Sequence, residues 1–552
     1  MKMNLSEQDS GENNMERSLK DKTVSSLIWK FIEKFGAQLM QFVVSIVLAR
    51  LLMPEDYGII AITTVFLAIA NVFVDSGFSS ILIRKLDADD LDYSTVFYFT
   101  LGVSIVLYLL FFFILAPLLS KLYDQPQLIP VLRALALVLI MSSYNGMQKT
   151  ILSKKLLFRR LFLSTFSATC FSSAVGIALA YYGYGVWALV AQQLTSTGVS
   201  MIVMTFTVRW RPKFIFSFNR LKALYSLGWK FFTVSLINVT YDNLHSMVIG
   251  KKYDETALAY WSKGRQFPGL IVDNINGTVG SVMYPVLSQK QDEPESLKRI
   301  LRTNIKTVTY LIWPMMIGLI VCSDSVIRFL LGEKWIQSAY YMRMFCIYFS
   351  LIPITTLDQI LFQVMGKGKL LLVTEIAKKL CGLSILVTTL FFGLKWIAIG
   401  LVLDSALAFI IATLPCKKLI NYGILDIVKD VLPNLLVCGI MGVCVYSLSF
   451  IKIDYRLILF IQIFTGIMLY ILLSWIFRLS SFKWIINYIK QGIGKIKSMI
   501  THNKFNSPPS ENKSNNMSMQ DGKIEEKEIN DTENASKIDN VNSNDGNNDK
   551  TE

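Results

Sequence analysis

Long apolar segments recur along the whole chain and restrict what it can fold into. A transmembrane helix needs roughly 20 mainly apolar residues. Segments of that kind cover approximately residues 24–48, 57–78, 95–119, 127–148, 160–181, 184–207, 226–249, 257–286, 304–323, 338–364, 371–392, 395–414, 430–450 and 456–477. Inside a bilayer only helices and closed barrels satisfy their backbone hydrogen bonds. The pattern therefore predicts an all-α polytopic membrane protein with about 14 transmembrane helices.

The composition agrees with a membrane protein and argues against several other classes. Hydrophobic residues make up 53% of the chain and charged residues only 17%. The formal net charge of +15 does not indicate nucleic-acid binding, because the bases lie mostly between the apolar segments. The seven cysteines have no metal-ligand spacing, and two histidines leave no room for a histidine-based metal site. We expect neither a metal nor a cofactor.

The distribution of Lys and Arg predicts the topology. The amino-terminal tail, every second loop and the flank after the last span hold about 32 bases, and the alternate loops hold about nine. Cytoplasmic loops carry the excess of Lys and Arg. We therefore expect a multi-pass membrane protein with both termini in the cytoplasm.

A repeat divides the chain into two halves. "SLIWKF" (26–31) returns as "SLGWKF" (226–231), and "LARLLMPEDYG" (48–58) corresponds to "IGKKYDETALA" (249–259). Further along, "YYG" (181–183) corresponds to "FFG" (391–393), and Arg133 to Arg343. Four matches in the same order predict two six-helix lobes plus two C-terminal helices. Six is even, so the lobes are parallel and related by a pseudo-two-fold axis along the membrane normal.

This repeat sets the expected domain boundaries, which we list in chain order. They are a polar cytoplasmic N-terminus (1–23), an N-lobe (24–207), a basic cytoplasmic linker (208–225), a C-lobe (226–414), two further spans (430–477), an amphipathic interfacial helix (482–500) and a disordered cytoplasmic tail (501–552).

Charged and polar residues inside the spans are the candidate site. A charge in the apolar region costs roughly 2.5–3.5 kcal/mol and usually faces a cavity or a partner. Because Lys30 and Lys230 occupy equivalent positions of the repeat, we expect them to converge on one cavity and bind an anion. The residues predicted to line this substrate cavity are Lys30, Lys34, Lys230, Arg265, Gln38 and Gln41. Candidates for binding a coupling ion are Asp75, Glu33 and Asp273.

Other interpretations of these residues stay open. Lys30 and Lys34 lie near the end of their span, where long lysine side chains also snorkel to the membrane surface. Glu33 would then only neutralise its neighbours. Asp75 lies near the end of the second span, where it would serve as a helix-end residue.

Catalytic signatures are absent from the sequence. It contains no P-loop, no HExxH motif and no large loop with paired carboxylates. We therefore predict that the chain is not an enzyme.

Six stretches resemble a known family. They are "LARLLMPEDYGIIA" (48–61), "VFVDSGFSSILIRK" (72–85), "YYGYGVWALVAQQL" (181–194), "WRPKFIFSF" (210–218), "VIGKKYDETALAYWSKGRQF" (248–267) and "YPVLSQKQD" (284–292). The chain resembles the Wzx-like polysaccharide exporters of the multidrug/oligosaccharidyl-lipid/polysaccharide (MOP) superfamily, in the branch of the colanic acid and teichuronic acid exporters. It departs from that branch at Ala259, where glycine is usual.

The resemblance implies two lobes around a central cavity and alternating access. The implied function is a flippase that moves undecaprenyl-pyrophosphate-linked oligosaccharide repeat units across the membrane for O-antigen, capsule or exopolysaccharide biosynthesis. The expected partners are this lipid-linked oligosaccharide, membrane lipids, and polymerase and chain-length regulator proteins of the same pathway. The implied location is the bacterial cytoplasmic (inner) membrane. A cation-lined cavity is implied only for Lys30, Lys34, Lys230 and Arg265.

Other functions stay open as alternatives. Within transport they are a cation-coupled drug antiporter of the same superfamily and a flippase for a peptidoglycan precursor. A membrane-embedded polysaccharide polymerase or ligase and a purely structural partner in a polysaccharide assembly complex are alternatives of other classes.

Overall fold

The computed structural model describes residues 36–85, 87–208, 210–451 and 453–482, and within them every regular element is helical. The first half holds α1 (Gly36–Leu51), α2 (Pro54–Asp75), α3 (Phe78–Arg84), α4 (Asp90–Leu110), a π-helical turn (Phe111–Leu115), α5 (Ala116–Tyr123), α6 (Leu128–Leu135), α7 (Leu137–Lys154), α8 (Phe158–Tyr181) and α9 (Val186–Thr207). The predicted all-α fold class is confirmed for these residues.

The second half repeats this order. It holds α10 (Phe218–Lys252), α11 (Glu255–Ser288), α12 (Pro294–Val321), α13 (Ser323–Leu330), a 3₁₀ turn (Glu333–Trp335), α14 (Ser338–Val364), α15 (Gly368–Leu390) and α16 (Leu394–Ile420). Then come α17 (Ile424–Ser447), a 3₁₀ turn (Leu448–Phe450) and α18 (Tyr455–Ile476). The predicted segments 1–23, 482–500 and 501–552 lie outside the described residues or, for 482, at their edge.

Ten helical stretches in the described residues are long and apolar enough to cross a membrane. The remaining predicted spans correspond to α1, α10, α11 and α15. The described part of α1 is short, and α15 carries Glu375, Lys378 and Lys379 near its middle. Charges of this kind reduce the apolar character of a helix, so the count of fourteen spans stays a prediction.

Helices of each half pack mainly on one another, which forms the two lobes. In the N-lobe α8 packs on α9, and α7 packs on α4 and α9. In the C-lobe α14 packs on α11, α12 and α16, and α15 packs on α16. The lobes meet where α2 packs on α10 and α11. The last two helices join the C-lobe, because α17 packs on α12 and α18 on α17.

Two pairs of residues from the repeat occupy matching places in the lobes. Gly183 follows α8 and Gly393 follows α15, with φ angles of +80° and +113°. Residues that carry a side chain rarely adopt such angles. Arg133 donates to the carbonyl of Phe112 in the preceding helix of its lobe. Arg343 also bonds the helical segment before its own, but its partners are side chains: it donates to the Ser323 hydroxyl and the Asp324 carboxylate. The repeat is therefore structural as well as sequential.

The lobes touch through equivalent residues. Thr256 donates a hydrogen bond of 3.4 Å to Glu55, the residue 201 positions earlier, which is the repeat offset. Nearby, α2 and α11 approach so closely that a Cβ atom on Gly58 would collide with the backbone carbonyl of Glu255. Equivalent residues in contact mark the pseudo-two-fold axis between the lobes.

We name the two ends of the bundle by the bases in their loops. The base-poor end holds the α1–α2, α5–α6, α10–α11 and α13–α14 loops. The base-rich end holds the α3–α4, α7–α8, α9–α10 and α11–α12 loops. At the base-rich end α10 begins at Phe218 and not at residue 226, because Ser217 accepts a hydrogen bond from the Arg220 N–H and caps the helix.

Candidate substrate cavity

A cavity of about 410 Å³ lies between the lobes. Side chains of α1 in the N-lobe and α11 in the C-lobe line it, and they are Gln38, Gln41, Phe42, Ser45, Ser262, Arg265, Gln266, Gly269, Leu270 and Asp273. The two helices meet beside it through Phe42 and Phe267, whose rings are 5.7 Å apart and nearly perpendicular. Pro268 lies inside α11 and removes a backbone hydrogen bond there, which favours a bend at this level.

Four of the predicted site residues come together in this cavity: Gln38, Gln41, Arg265 and Asp273. The Arg265 side chain is exposed to the cavity space, as are those of Gln41 and Asp273. Arg265 also lies close enough to Asp242 on α10 for an electrostatic interaction. Among the described residues, the lining therefore combines the guanidinium of Arg265, the carboxylate of Asp273 and several amide groups.

The other predicted residues lie elsewhere or outside the described part of the chain. Lys30, Glu33 and Lys34 precede residue 36, so their convergence with Lys230 is not described. Lys230 is exposed on α10 and does not line the interlobe cavity. Asp75 lines a separate cavity of about 190 Å³ inside the N-lobe and accepts a hydrogen bond from Ser79.

Lys263 joins the two lobes at the base-poor side of the interlobe cavity. Its ammonium donates to Ser45 of α1 at 2.9 Å and to Gln266 at 3.1 Å. It also lies 4.1 Å from the centre of the Tyr57 ring of α2, a cation–π contact. The side chain is only 5% exposed. The sequence did not predict this lysine as a site residue, because only tertiary structure brings α1 against α11.

Arg50 connects the N-lobe to the C-lobe at the base-poor end. Its guanidinium donates to the carbonyls of Phe329 and Leu330, the last residues of α13, with a distance of 2.9 Å to Leu330. In return, Lys334 donates to the carbonyls of Arg50, at 2.9 Å, and Leu52. The carbonyl groups at a helix C-terminus lack intrahelical partners and attract cations. We call this set of bonds the Arg50 latch.

Two further features support the Arg50 latch. The Trp335 indole, fully buried, donates to the carbonyl of Ala49 at 2.8 Å. Its ring also packs edge-on against Tyr57. Burial lowers the pKa of the neighbouring Lys334, opposed by the charges of Asp56 and Glu55. The C-terminus of α1 is therefore enclosed by the C-lobe.

Lys251 connects the C-lobe to the N-lobe in the corresponding way. Its ammonium donates to the carbonyl of Leu122 near the end of α5, and it lies 3.6 Å from the carboxylate of Asp124. The hydroxyl of Tyr123 donates to the carbonyl of Met247 on α10 at 3.2 Å. We call this set the Lys251 latch. With both latches formed, the lobes are held together at the base-poor end.

A larger cavity, of about 580 Å³, lies inside the N-lobe among α1, α2, α7, α8 and α9. Hydroxyl and amide groups dominate its lining, from Gln41, Thr64, Ser142, Asn145, Thr165, Thr169, Ser172, Ser173, Gln192, Gln193, Ser196, Thr197 and Ser200. We call it the N-lobe cavity. Gln41 lines both this cavity and the interlobe cavity.

The C-lobe contains a cavity of different chemistry, with a volume of about 320 Å³. Its charged groups are already paired in part: Lys378 lies 2.5 Å from Glu375, which also accepts a hydrogen bond of 2.6 Å from Gln359. Lys379 donates to Asn238 on α10. Asp404 also lines the cavity.

An ion cluster ties the base-rich end of the N-lobe to α10. Asp92, fully buried at the start of α4, forms an ion pair with Lys85 and lies 3.6 Å from the guanidinium of Arg220. Asp89 caps α4 by accepting a hydrogen bond of 2.8 Å from the Asp92 N–H. That backbone bond lowers the pKa of the Asp89 carboxyl.

Comparison with known proteins identifies the family. Residues 47–340, more than half of the chain, match the family described as polysaccharide biosynthesis protein. The chain belongs to this family. It is 23% identical over 315 residues to the succinoglycan biosynthesis transport protein ExoT of Rhizobium meliloti (strain 1021). That match covers 57% of this chain and 64% of ExoT, so the chain spans less than two thirds of this relative's length.

A second relative matches over a longer stretch. The chain is 21% identical over 438 residues to the teichuronic acid biosynthesis protein TuaB of Bacillus subtilis (strain 168). This match covers 78% of the chain and 90% of TuaB. The resemblance to polysaccharide exporters that the sequence suggested is confirmed. ExoT, the first of these two relatives, is by name a transport protein, in line with the prediction of a transporter.

Solved structures share the fold. The lipid II flippase MurJ in an inward closed conformation superposes with a TM-score of 0.65 at 19% identity, covering 82% of this chain and 98% of MurJ. An inward-facing multidrug transporter of the MATE family and MOP superfamily gives a TM-score of 0.56 at 18% identity, covering 70% of this chain and 94% of its own. The chain is thus a multi-pass membrane protein that shares the fold of these two structures.

Proposed function

We propose that the protein is a flippase that translocates undecaprenyl-pyrophosphate-linked oligosaccharide repeat units across the bacterial cytoplasmic membrane by alternating access. The names of its relatives support a role in surface polysaccharide biosynthesis. The fold shared with a lipid II flippase supports a substrate with a polar head and a lipid tail.

One observation carries the proposal. A polar cavity that holds the guanidinium of Arg265 lies between two lobes, and at the base-poor end side chains of each lobe bond to helix ends of the other. Arginine suits the pyrophosphate because its guanidinium binds phosphate oxygens with two hydrogen bonds at once. Latches of this kind can open without disturbing the packed interior of either lobe, as alternating access requires.

The predicted site residues receive roles within this proposal. The pyrophosphate binds in the interlobe cavity, and a coupling ion binds at a carboxylate. Head-group contacts are assigned to Arg265, Gln38, Gln41, Lys30, Lys34 and Lys230. Ion coupling is assigned to Asp75, Glu33 and Asp273.

The orientation follows the bases. We propose that the base-rich end and both termini face the cytoplasm, in agreement with the positive-inside rule. The latched base-poor end then faces outward. Polymerase and chain-length regulator proteins that act on the translocated unit are the proposed protein partners.

Complementation of a strain that lacks the gene tests the function. Arg265→Met removes the charge, whereas Arg299→Met is the matched control because Arg299 is exposed on α12 and does not line the cavity. Surface polysaccharide and inner-leaflet lipid-linked oligosaccharide are both quantified at equal protein levels. We expect wild type and Arg299→Met to restore the polymer. Arg265→Met should export at least tenfold less and accumulate precursor.

Two results would contradict the proposal. Failure of the wild-type protein to restore any polymer would reject the flippase function. Restoration by wild type and equal restoration by Arg265→Met would keep the function and remove Arg265 from the head-group site.

A further inference from the structure

The N-lobe cavity differs from the other cavities in the kind of group it offers. Among the described residues that line it, Lys149 is the one with a charged side chain. The rest of its polar lining consists of Ser and Thr hydroxyls and Asn and Gln amides. Neutral groups of this kind suit a ligand that has many hydrogen-bonding groups and no charge.

Several of these groups are available to a ligand. Asn145 is 4% exposed and donates to the Thr197 carbonyl at 3.1 Å, but its side-chain oxygen is buried without a partner. No hydrogen bond joins the amides of Gln192 and Gln193 to another described residue. Because an unpaired buried polar group costs about 1–3 kcal/mol, such groups are commonly satisfied by water or a ligand.

The hydroxyls are arranged mainly as acceptors. Thr165, Thr169, Ser172, Ser173 and Thr197 each donate to a backbone carbonyl of their own helix. Their oxygen lone pairs therefore remain for an incoming donor. With the free amide N–H groups of α9, the N-lobe cavity presents both acceptors and donors, as the hydroxyls of a sugar require.

The N-lobe cavity is connected to the anion-binding region through one side chain. Gln41 of α1 lines both the N-lobe cavity and the interlobe cavity that holds Arg265. A molecule with an anionic end near Arg265 can therefore extend past Gln41 into neutral surroundings. The C-lobe cavity offers no such neutral surroundings, because several charged side chains line it and some of them are paired with one another.

We propose that the N-lobe cavity binds the neutral sugar portion of the substrate whose pyrophosphate binds in the interlobe cavity. This inference rests on the proposed function and adds a location and a chemical class: uncharged saccharide. Its volume of about 580 Å³ falls within the range of small-molecule sites. The N-lobe would thus recognise the saccharide, and Gln192 and Gln193 would be direct contacts.

Binding to two lipids tests the proposal. The full-length protein in nanodiscs is titrated with undecaprenyl pyrophosphate alone and with the same lipid carrying a neutral trisaccharide, and binding is followed by native mass spectrometry. The variant is Gln192→Met with Gln193→Met, which keeps side-chain length and removes the amides. Gln363→Met is the matched control, because Gln363 is exposed on α14 and does not line the N-lobe cavity.

We expect wild type and Gln363→Met to bind the trisaccharide lipid about tenfold more tightly than the bare lipid, a difference of about 1.4 kcal/mol. The double variant should bind the two lipids with about equal affinity, and its affinity for the bare lipid should equal that of wild type. Should the double variant unfold on heating well below wild type, Ser196→Ala combined with Gln193→Met replaces it.

The contrary results are distinct from one another. An unchanged preference in a folded variant would mean that the cavity holds only water, which overturns the inference and leaves the flippase function standing. Equal binding of both lipids by wild type would overturn it as well. Absence of binding of either lipid by wild type would reject the proposed function together with the inference.

Discussion

Arg50 and Lys251, which are 201 positions apart and equivalent in the repeat, make the same contact from opposite lobes. Arg50 donates to the carbonyls that end α13, and Lys251 donates to a carbonyl near the end of α5. Leu330 and Leu122, the two acceptor residues, are themselves 208 positions apart, close to the offset of the repeat. The duplication has therefore preserved an interaction between the lobes as well as the fold of each lobe.

Removal of either base should loosen the base-poor end. A cation at a helix C-terminus contributes about 1 kcal/mol at an exposed site. Arg50→Met or Lys251→Met should therefore increase hydrogen exchange of the α1–α2 and α10–α11 turns about fivefold, and the double variant should increase it further. Hydrogen-exchange mass spectrometry in nanodiscs measures this rate.

Lys252→Met is the control for that experiment. Lys252 is the next residue, and its ammonium lies 4.8 Å from the Phe391 ring of its own lobe. Its removal should leave exchange in the α1–α2 turn at the wild-type rate. Equal acceleration by all three variants would show that loss of positive charge at this end, and not the latches, controls opening.

Replacement of Lys263 by methionine should not destabilise the protein. Gln266 still donates to Ser45 at 3.0 Å when the ammonium is gone, so no donor is left unpaired. Exchange of a buried ionic group for an apolar one is often neutral or stabilising. Lys378→Met, in contrast, takes the cation from Glu375 and should lower the thermal midpoint. A lower midpoint for Lys263→Met than for Lys378→Met would contradict this assignment.

The buried carboxylate of Asp92 should be needed for stability. Asp92→Asn leaves Lys85 without its ion-pair partner, which we expect to cost about 3 kcal/mol. Asp90→Asn is the matched control, because the Asp90 carboxylate forms an exposed ion pair with the Lys213 ammonium at 2.7 Å. We expect Asp90→Asn to lower the free energy of unfolding by about 1 kcal/mol or less. Denaturant unfolding of both variants gives the comparison, and equal losses would refute it.

The cap of α4 should give stability that depends on pH. The pKa of Asp89 is lower in the folded protein than in the unfolded chain. Its contribution is therefore present above the ordinary carboxyl pKa of about 4 and is lost as the pH falls through the lowered value. Asp89→Ala should cost about 1 kcal/mol at pH 7 and less at pH 3. Asp89→Asn keeps a capping oxygen that does not titrate, so the difference in stability between Asp89→Asn and Asp89→Ala should be the same at pH 7 and pH 3. If that difference decreased at low pH as much as the difference between wild type and Asp89→Ala, the ionic contribution of Asp89 would be disproved.

The paired lysines from the sequence repeat have a direct genetic test. In the complementation strain, Lys30→Ala and Lys230→Ala should each reduce surface polymer and raise the lipid-linked precursor, and the double variant should do so most. Cation removal lowers affinity for a pyrophosphate. Normal export by the double variant would assign both lysines to snorkelling at the membrane surface.

The sequence predicts the parts of the fold that depend on local pattern. Apolar segments of span length predicted most helices. The repeat predicted the two lobes, because matched positions such as Gly183 and Gly393 need the same backbone conformation, with a positive φ angle, in both lobes. Arg265, Gln38 and Gln41 were predicted as cavity residues because polar groups in a span need polar surroundings. The boundary at Phe218 was missed because the capping residue Ser217 lies in a basic stretch.

Features that depend on long-range packing were not predictable. Lys263 finds its partners on α1 and α2, more than two hundred positions away, and nothing in its local pattern names Ser45 or Tyr57. Gln192 and Gln193 read as ordinary polar residues of a span until α1, α7, α8 and α9 enclose a cavity around them. The separation of Asp75 from the interlobe cavity likewise follows from packing alone.

The contact at Gly58 has a consequence for genetics. Every missense change of this codon adds a Cβ atom, which collides with the backbone carbonyl of Glu255. That carbonyl is present whatever residue occupies position 255, so no substitution there removes the collision. Alleles of codon 58 should therefore lack compensating suppressors at codon 255. Suppressors should map instead to the codons for Arg50 or Lys334, where weaker attachment lets the helices move apart. A collection of such suppressor alleles would outline the moving parts of the protein without any purified material.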